Sequence, residues 1–173
     1  MNEVINNLLT RRSIRSFSDK KISKEDLETI VKCARYAPSG MNRQLWKFTV
    51  VQNKEILTEL AKAVREELSR DEGYNFYAPD VMILVSNERD NHLGEADCAC
   101  ALENIFLAAH SLGIGSVWIN QFKGICDSEN VRAVLNKVNL PQNHIIWGCA
   151  ALGYAAGEPR AADKKTDVVE WIL

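Results

Sequence analysis

The residues best suited to chemistry begin with one short stretch near the N-terminus, Arg11-Arg12-Ser13-Ile14-Arg15. An arginine guanidinium presents a planar fork of N–H donors that matches phosphate oxygens, and a serine hydroxyl adds another donor. The stretch therefore has the donor chemistry of a phosphate site. Taken alone, it is more simply interpreted as a solvated basic segment, because charged side chains lie mostly at the surface.

Two further stretches combine polar and turn-forming residues. APSGMNRQLW, over 37–46, joins the end of a predicted helix to the start of a strand, and GIGSVWINQ, over 113–121, does the same later in the chain. Proline, serine, glycine and asparagine favour turns for local reasons. Each stretch is therefore compatible with an ordinary connection and needs no functional interpretation by itself.

Several familiar catalytic patterns are missing from the sequence. The three histidines are scattered without the spacing of a zinc site. Cys98 and Cys100 would point about 200° apart on a helix, so they could not share a metal ion. The sequence has no GxSxG, P-loop or GxGxxG pattern. A Rossmann-type nicotinamide site is therefore not expected.

Composition narrows the class of protein further. The chain has 173 residues, of which 46% are hydrophobic and 25% charged, as in globular domains and unlike disordered or collagen-like chains. A net charge of −2 gives no argument for nucleic acid or an anionic membrane as a partner. Neither a membrane span nor a signal-peptide core is expected. Five cysteines without the spacing of a disulfide framework predict free thiols and a cytoplasmic location.

The elements that must position the polar stretches alternate between helix and strand. Ser23 is the predicted N-cap of a helix that ends before Pro38, and a short helix precedes Arg11. Further helices are predicted over 54–69 after Asn53, over 93–112, and from an Asp127 cap to about Lys137; strands are predicted over Trp46–Gln52, Val81–Ser86, Gly115–Ile119 and Ile145–Leu152. This order predicts an α/β or α+β layered fold, and the lack of any linker predicts one domain over 1–173.

Two apolar segments indicate further contacts. The predicted helix 93–112 is apolar over most of its circumference, which is typical of a helix buried in a core or in a subunit interface. The tail Val168–Leu173 (VVEWIL) alternates like a strand and has no neighbour in sequence with which to pair. Such a tail is too apolar for a free terminus.

Four motifs in order resemble the FMN-dependent nitroreductase family. They are the basic stretch continued as RRSIRSF over 11–17; APSGMNRQLW, in which Leu45 stands where the family usually has proline; SLGIG at the end of the long helix, over 111–115; and LGY over 152–154. The resemblance spans almost the whole chain. It implies an α+β three-layer sandwich with a mixed sheet flanked by helices, in a homodimer with an exchanged C-terminal tail.

The resemblance also assigns roles at the FMN. It implies that Arg11 and Ser13 hold the phosphate, that Arg12 is a second phosphate or ribityl contact, and that Arg15 lies at the N1/C2 edge of the flavin. Reduced flavin carries negative charge at that edge, which a cation stabilises. Pro38, Ser39 and Asn42 would reach the flavin of the other subunit.

The remaining assignments lie elsewhere in the chain. Asn120 and Gln121 match the segment along flavin N5, where the family commonly has an acidic residue and glycine. Asn75 is the nearest candidate for the pyrimidine edge, although a solvated loop is at least as good an interpretation of it. The basic residue that completes the phosphate site could be Arg160, Lys164 or Lys165.

The function implied is an FMN-dependent oxidoreductase, with no catalytic side chain required. Hydride would pass from a transiently bound NAD(P)H through the flavin to a nitroaromatic, a quinone or a similar small-molecule acceptor. The alternatives are a flavin-dependent dehydrogenase acting on a specific metabolite, and a flavin-binding protein without turnover that serves storage or sensing. An interaction module that has lost its flavin is a third class.

Overall fold

A computed structural model of the protein describes residues 2–159 and 163–173. Its helices are α1 (Glu3–Thr10), α2 (Lys24–Arg35), α3 (Lys54–Glu67), α4 (Gly94–Ser111) and α5 (Glu129–Lys137). Its strands are β1 (Trp46–Val51), β2 (Val81–Glu88), β3 (Gly115–Ile119) and β4 (His144–Gly153), and a 3₁₀ turn covers Gly40–Asn42. None of the helices in this part of the chain is long and apolar enough to span a membrane.

The four strands form one sheet in the order β1-β2-β4-β3. All three ladders are antiparallel, and the register of the β2–β4 ladder shifts between Val85 and Ser86, where β4 has the extra residue Trp147. The expected mixed sheet therefore differs from the observed one. In the described part of the chain, the parallel component is a single bridge between Ser13 and Ser116, at the outer edge of β3.

Two hydrophobic cores lie on opposite faces of this sheet. Met82 and Leu84 of β2 face the core shared with α3 and α5, whereas Ile83 and Val85 face the core shared with α2 and α4. Every residue from Val81 to Asn87 is buried because helices cover both faces. The predicted α+β three-layer arrangement is confirmed.

Local hydrogen bonds set where the helices begin, and one helix begins differently from the prediction. Ser23 and Asn53 cap α2 and α3 by accepting the backbone N–H of Asp26 and Ile56. The prediction that Asp127 caps α5 is wrong: Ser128 is the N-cap residue. The Asp127 carboxylate instead pairs with Arg89 and Arg132, which a sequence pattern does not reveal.

Helix α4 is buried on only part of its circumference. Ala101, Ile105 and Ala109 are fully buried against the sheet and α2. Another face, which includes Ala96, Ala99 and Cys100, is exposed in the protomer. The α4 surface thus has room for a further contact, as its apolar composition predicts. All five cysteines are free.

Candidate functional site

The RRSIRSF stretch runs beside the sheet as an extra edge segment. The Ile14 N–H donates to Ser116 O (2.9 Å), and the Ser18 N–H donates to Tyr154 O (2.8 Å). These bonds hold residues 13–18 along β3 and the end of β4. Ser13 is thereby fixed next to β3, and Arg15 lies two residues further along the same segment.

Two glycines in the family-like motifs permit this close docking. A Cβ on Gly115 would lie 2.8 Å from Cγ1 of Ile14, and one on Gly153 would lie 2.7 Å from Cδ1 of Phe17. Any larger residue would push the segment away from the sheet. The glycines of the SLGIG and LGY motifs thus leave room for the side chains of the basic stretch.

Arg11 and Arg15 carry positive charge without acidic partners. Among residues 2–159 and 163–173, neither forms a salt bridge. The Arg11 guanidinium carbon lies 5.8 Å from the Phe106 ring centroid, and that of Arg15 lies 6.0 Å from the Tyr77 ring centroid. Both guanidinium groups therefore keep donors for a ligand.

Arg12 has a different environment from its two neighbours. Its Nη1 donates to Leu9 O (2.8 Å) and Arg11 O (2.7 Å), two carbonyls at the C-terminal end of α1. A cation there also interacts favourably with the helix dipole. The structure thus gives Arg12 a helix-capping role within the protomer.

Two adjoining cavities border the basic stretch. One of about 220 Å³ is lined by Arg11, Arg12 and His110, and one of about 460 Å³ is lined by Ser13, Arg15 and Glu158. Ile14 and Pro159 line both. The basic stretch therefore faces open space large enough for a small-molecule ligand.

The electrostatics of the smaller cavity are visible at His110. Partial burial lowers the pKa of its imidazole, and the charges of Arg11 and Arg12 lower it further. Its Nε2 is 2.9 Å from Thr10 Oγ1. The positive potential that disfavours a protonated His110 would favour an anion in the same place.

Pro38, Ser39 and Asn42 lie on a loop that lines neither of these cavities. The loop is ordered by its own bonds: Ser39 Oγ accepts the Gln44 N–H (3.2 Å), and Gln44 Nε2 donates to Asn42 Oδ1 (2.9 Å). The buried Asp97 accepts the Gly40 N–H at 2.8 Å. The protomer thus holds this loop in shape but does not bring it to Arg11 or Arg15.

Asn120 and Gln121 directly follow β3. The Asn120 N–H donates to Gln121 Oε1 (3.2 Å), whereas the Gln121 N–H forms no hydrogen bond within the described residues. At about 3.3 Å per residue, the extended strand separates Ser116 from Asn120 by about 13 Å. β3 thus connects the Ser13 bridge at one end with a free backbone donor at the other.

The remaining predicted residues are not brought to the basic stretch. Asn75 lines a separate cavity of about 590 Å³ beside α3, together with Asp19 and Tyr74. Lys164 and Lys165 are exposed and make no hydrogen bond or ion pair in the part of the chain described. Arg160, the third candidate for the phosphate, lies outside the described residues.

Sequence reasoning missed Tyr77 and Asp97. Asn75 is the residue expected at the pyrimidine edge of the flavin, whereas it is Tyr77, two residues further along, that faces Arg15. Asp97 resembles any acidic residue in the first turn of a helix, and its bond to Gly40 spans 57 positions. Neither contact has a local sequence signal.

Comparisons with known proteins agree on one family. The model of the nitroreductase family matches residues 8–154. A relative in Archaeoglobus fulgidus, assigned as an NADH dehydrogenase/NAD(P)H nitroreductase, is 34% identical over 165 residues, which cover 91% of this chain and 88% of the relative. An FMN reductase [NAD(P)H] of Bacillus subtilis is 28% identical, over 82% of this chain and 61% of its own.

Solved structures give the same result. The crystal structure of a nitroreductase with bound FMN from Bacteroides fragilis superposes with a TM-score of 0.95, at 37% identity and full coverage of both chains. A nitroreductase with bound FMN from Desulfitobacterium hafniense gives a TM-score of 0.92 at 27% identity, again over the full length of both chains.

Proposed function

The chain belongs to the nitroreductase family, and from that membership we propose that it is an FMN-dependent oxidoreductase using NAD(P)H. The observation that carries the proposal is that Arg11 and Arg15, on one edge segment beside open cavities, form no salt bridge within the described residues. FMN-bound and FMN-reducing relatives support the choice of cofactor.

The donor set fits FMN. Arg11, Ser13 and Arg15 offer N–H and O–H donors, and two of them are permanently charged, which suits a phosphate monoester at one end of the segment. The free Gln121 N–H beyond β3 offers a neutral donor at the other end. A ligand with an anionic head and a flat hydrogen-bonding ring matches this distribution.

When bound, FMN supplies the two-electron chemistry, accepting hydride from NAD(P)H and delivering it to the acceptor. Arg11 and Ser13 would bind the phosphate and thereby fix the position of the ring. The Arg15 guanidinium would lie at the pyrimidine edge and would stabilise the negative charge that reduction places there. The Gln121 N–H would donate toward N5, and the side chains of Asn120 and Gln121 would border the same edge.

Arg12 enters the proposal in a changed role. Its bonds to Leu9 O and Arg11 O hold the C-terminal end of α1 against the start of the basic stretch. Its charge adds to the positive potential at the phosphate without a direct contact. Lys164 or Lys165 completes the phosphate site in this proposal, once the tail has reached its place in the dimer.

We also propose that the protein is a homodimer with exchanged tails. In the described protomer β1 pairs only with β2, so its other edge is open. A groove of about 610 Å³ beside it is lined by Leu27, Val31 and Val50. Tail residues 168–173 would span about 20 Å when extended, which matches the six residues of β1.

The exposed apolar residues support this assembly. Trp171 of the tail is 78% exposed in the protomer, and α1 exposes a row of aliphatic side chains: Val4, Ile5, Leu8 and Leu9. Surfaces of this kind are typical of subunit interfaces. Dimer formation would also bring Pro38, Ser39 and Asn42 to the FMN of the partner subunit.

The two cores are joined by the strands they share, so we propose that residues 1–173 act as one FMN-binding domain. Nitroaromatics and quinones are the acceptor classes proposed, because a flat acceptor can stack on the same exposed ring face that receives hydride. No side chain of the described site is required as a proton donor.

The test is a spectrum followed by turnover. The purified protein, reconstituted with FMN, is expected to show bound-flavin absorption bands and to oxidise NADH or NADPH when menadione is added. Arg70→Ala is the control and should behave as the wild type, because Arg70 is exposed and forms no salt bridge in the part of the chain that the structure describes. A protein that stays colourless, or one that is yellow but does not oxidise either nucleotide, would refute the proposed activity.

A further inference from the structure

The loop between α3 and β2 contains three consecutive residues in the left-handed region. Phe76, Tyr77 and Ala78 have φ values of 56°, 69° and 49°, and none is glycine. Residues other than glycine rarely adopt this backbone conformation because their Cβ atom comes too close to a backbone oxygen. A run of three costs folding free energy, and such strain persists only where the surroundings impose it.

Phe76 is the residue that imposes the shape. Its side chain is 1% exposed, stacks on Phe122 with ring centroids 5.7 Å apart, and meets the edge of Tyr74 at 5.1 Å. The Ala78 N–H closes the turn by donating to Asn75 O (2.9 Å). Through Phe76 the loop thus packs against Phe122, which directly follows Gln121 after the end of β3.

Tyr77 is a partly exposed residue at the centre of this strained loop. Its side chain remains 45% exposed, so it contributes little to the core. Its ring centroid lies 6.0 Å from the guanidinium carbon of Arg15, within the range of a cation–π contact. Arg15 forms no salt bridge in the described residues, and the Tyr77 ring is its cation–π partner there.

We propose that Tyr77 is a positioning residue for Arg15. The ring face holds the guanidinium at the pyrimidine edge of the flavin, and the strained loop keeps the ring in place before FMN binds. The inference rests on the proposed function, because it gives Arg15 its ligand. It explains why a costly backbone conformation carries a half-exposed aromatic residue.

The interaction requires an aromatic face and not a hydroxyl. Tyr77→Phe retains the ring quadrupole, whereas Tyr77→Leu retains bulk and loses the quadrupole. We expect Tyr77→Phe to bind FMN as the wild type does. We expect Tyr77→Leu to raise the FMN dissociation constant about two- to fivefold, the scale of an exposed cation–π contact, and to lower the flavin midpoint potential. Tyr77 is half exposed, so both variants should fold.

A double-mutant cycle with Arg15→Ala separates positioning from direct contact. If Tyr77 acts through Arg15, Tyr77→Leu should change neither the affinity nor the potential once Arg15 is alanine. An undiminished effect in that background would overturn the inference, as would a Tyr77→Leu protein with wild-type affinity and potential. If Arg15→Ala alone changes nothing, the proposed placement of Arg15 fails instead, which is a distinguishable result.

Discussion

Arg11, Arg12 and Arg15 lie within a stretch of five residues and differ in what surrounds them. Arg12 is bound by backbone carbonyls, whereas Arg11 and Arg15 each face an aromatic ring and form no salt bridge within the described residues. An arginine without an acidic partner beside a cavity keeps its donors for an anion. Residue type alone would have given all three the same role.

His144 makes stability depend on pH. It is buried at the start of β4, with Nδ1 3.0 Å from Ser86 Oγ. Burial lowers the pKa of its imidazole, while Glu88 raises it and Lys47 lowers it, with a net decrease. In the unfolded chain this histidine becomes protonated near pH 6.5, whereas in the folded chain it becomes protonated only at a lower pH. The unfolded state therefore binds more protons below pH 6.5. The free energy of unfolding should therefore fall as pH drops below about 6.5.

Urea unfolding at pH 7 and pH 5 measures this effect. His144→Asn keeps a hydrogen-bonding group near Ser86 and cannot titrate, so its loss of stability between the two pH values should be smaller than that of the wild type. His110, whose pKa is also lowered, retains part of the slope in both proteins. Equal slopes would mean that His144 does not titrate differently on folding.

At the scale of elements, local patterns predicted the helices and strands well. Ser23 and Asn53 are N-caps, and β2 is the buried strand that its β-branched run predicts. The family resemblance and the three-layer fold are confirmed by the match over 8–154 and by the structural neighbours. These features follow from neighbouring residues or from motifs shared with relatives.

Contacts between distant segments were not predictable in the same way. The Asp127 ion pairs, the bond from Gly40 to Asp97 and the approach of Tyr77 to Arg15 depend on tertiary packing. The tight approach at Gly153 was likewise visible only as a glycine in a motif. The roles assigned to the site residues remain predictions.

Gly153 tests how the basic segment docks on the sheet. Gly153→Ala places a Cβ 2.7 Å from Cδ1 of Phe17, so Phe17 and residues beside it must shift. We expect a loss of about 1–3 kcal/mol in stability and weaker FMN binding. Gly124→Ala is the matched control, since its Cβ would meet nothing within 4 Å. Gly153→Ala with wild-type stability and FMN affinity would show that the segment docks less tightly than described.

At the scale of the whole molecule, the described chain leaves apolar side chains and a strand edge uncovered. Among residues 2–159 and 163–173, β1 has an open edge, α1 exposes aliphatic side chains, and the tail exposes Trp171. An aromatic side chain of that size can bury about 150–250 Å². Pairing of the tail with the β1 edge of a second chain would cover both features together.

Deletion of residues 167–173 tests this assembly. We expect the truncated protein to sediment as a monomer or an aggregate and to retain less FMN than the full chain, because the loop of Pro38, Ser39 and Asn42 would no longer meet the partner's site. Trp171→Ala in the full chain should weaken the dimer in the same direction. A truncated protein that remains a tight dimer with full FMN content would contradict the exchanged-tail assembly.

The central claim is that the unpaired arginines of the edge segment bind FMN, and an FMN titration tests it most directly. Flavin-free wild type, Arg11→Ala and the Arg70→Ala control would be titrated with FMN and followed by quenching of flavin fluorescence. Loss of a charge-assisted phosphate contact predicts a dissociation constant roughly 10- to 100-fold higher for Arg11→Ala, with no change for Arg70→Ala. An Arg11→Ala protein that binds FMN as tightly as the control would contradict the site.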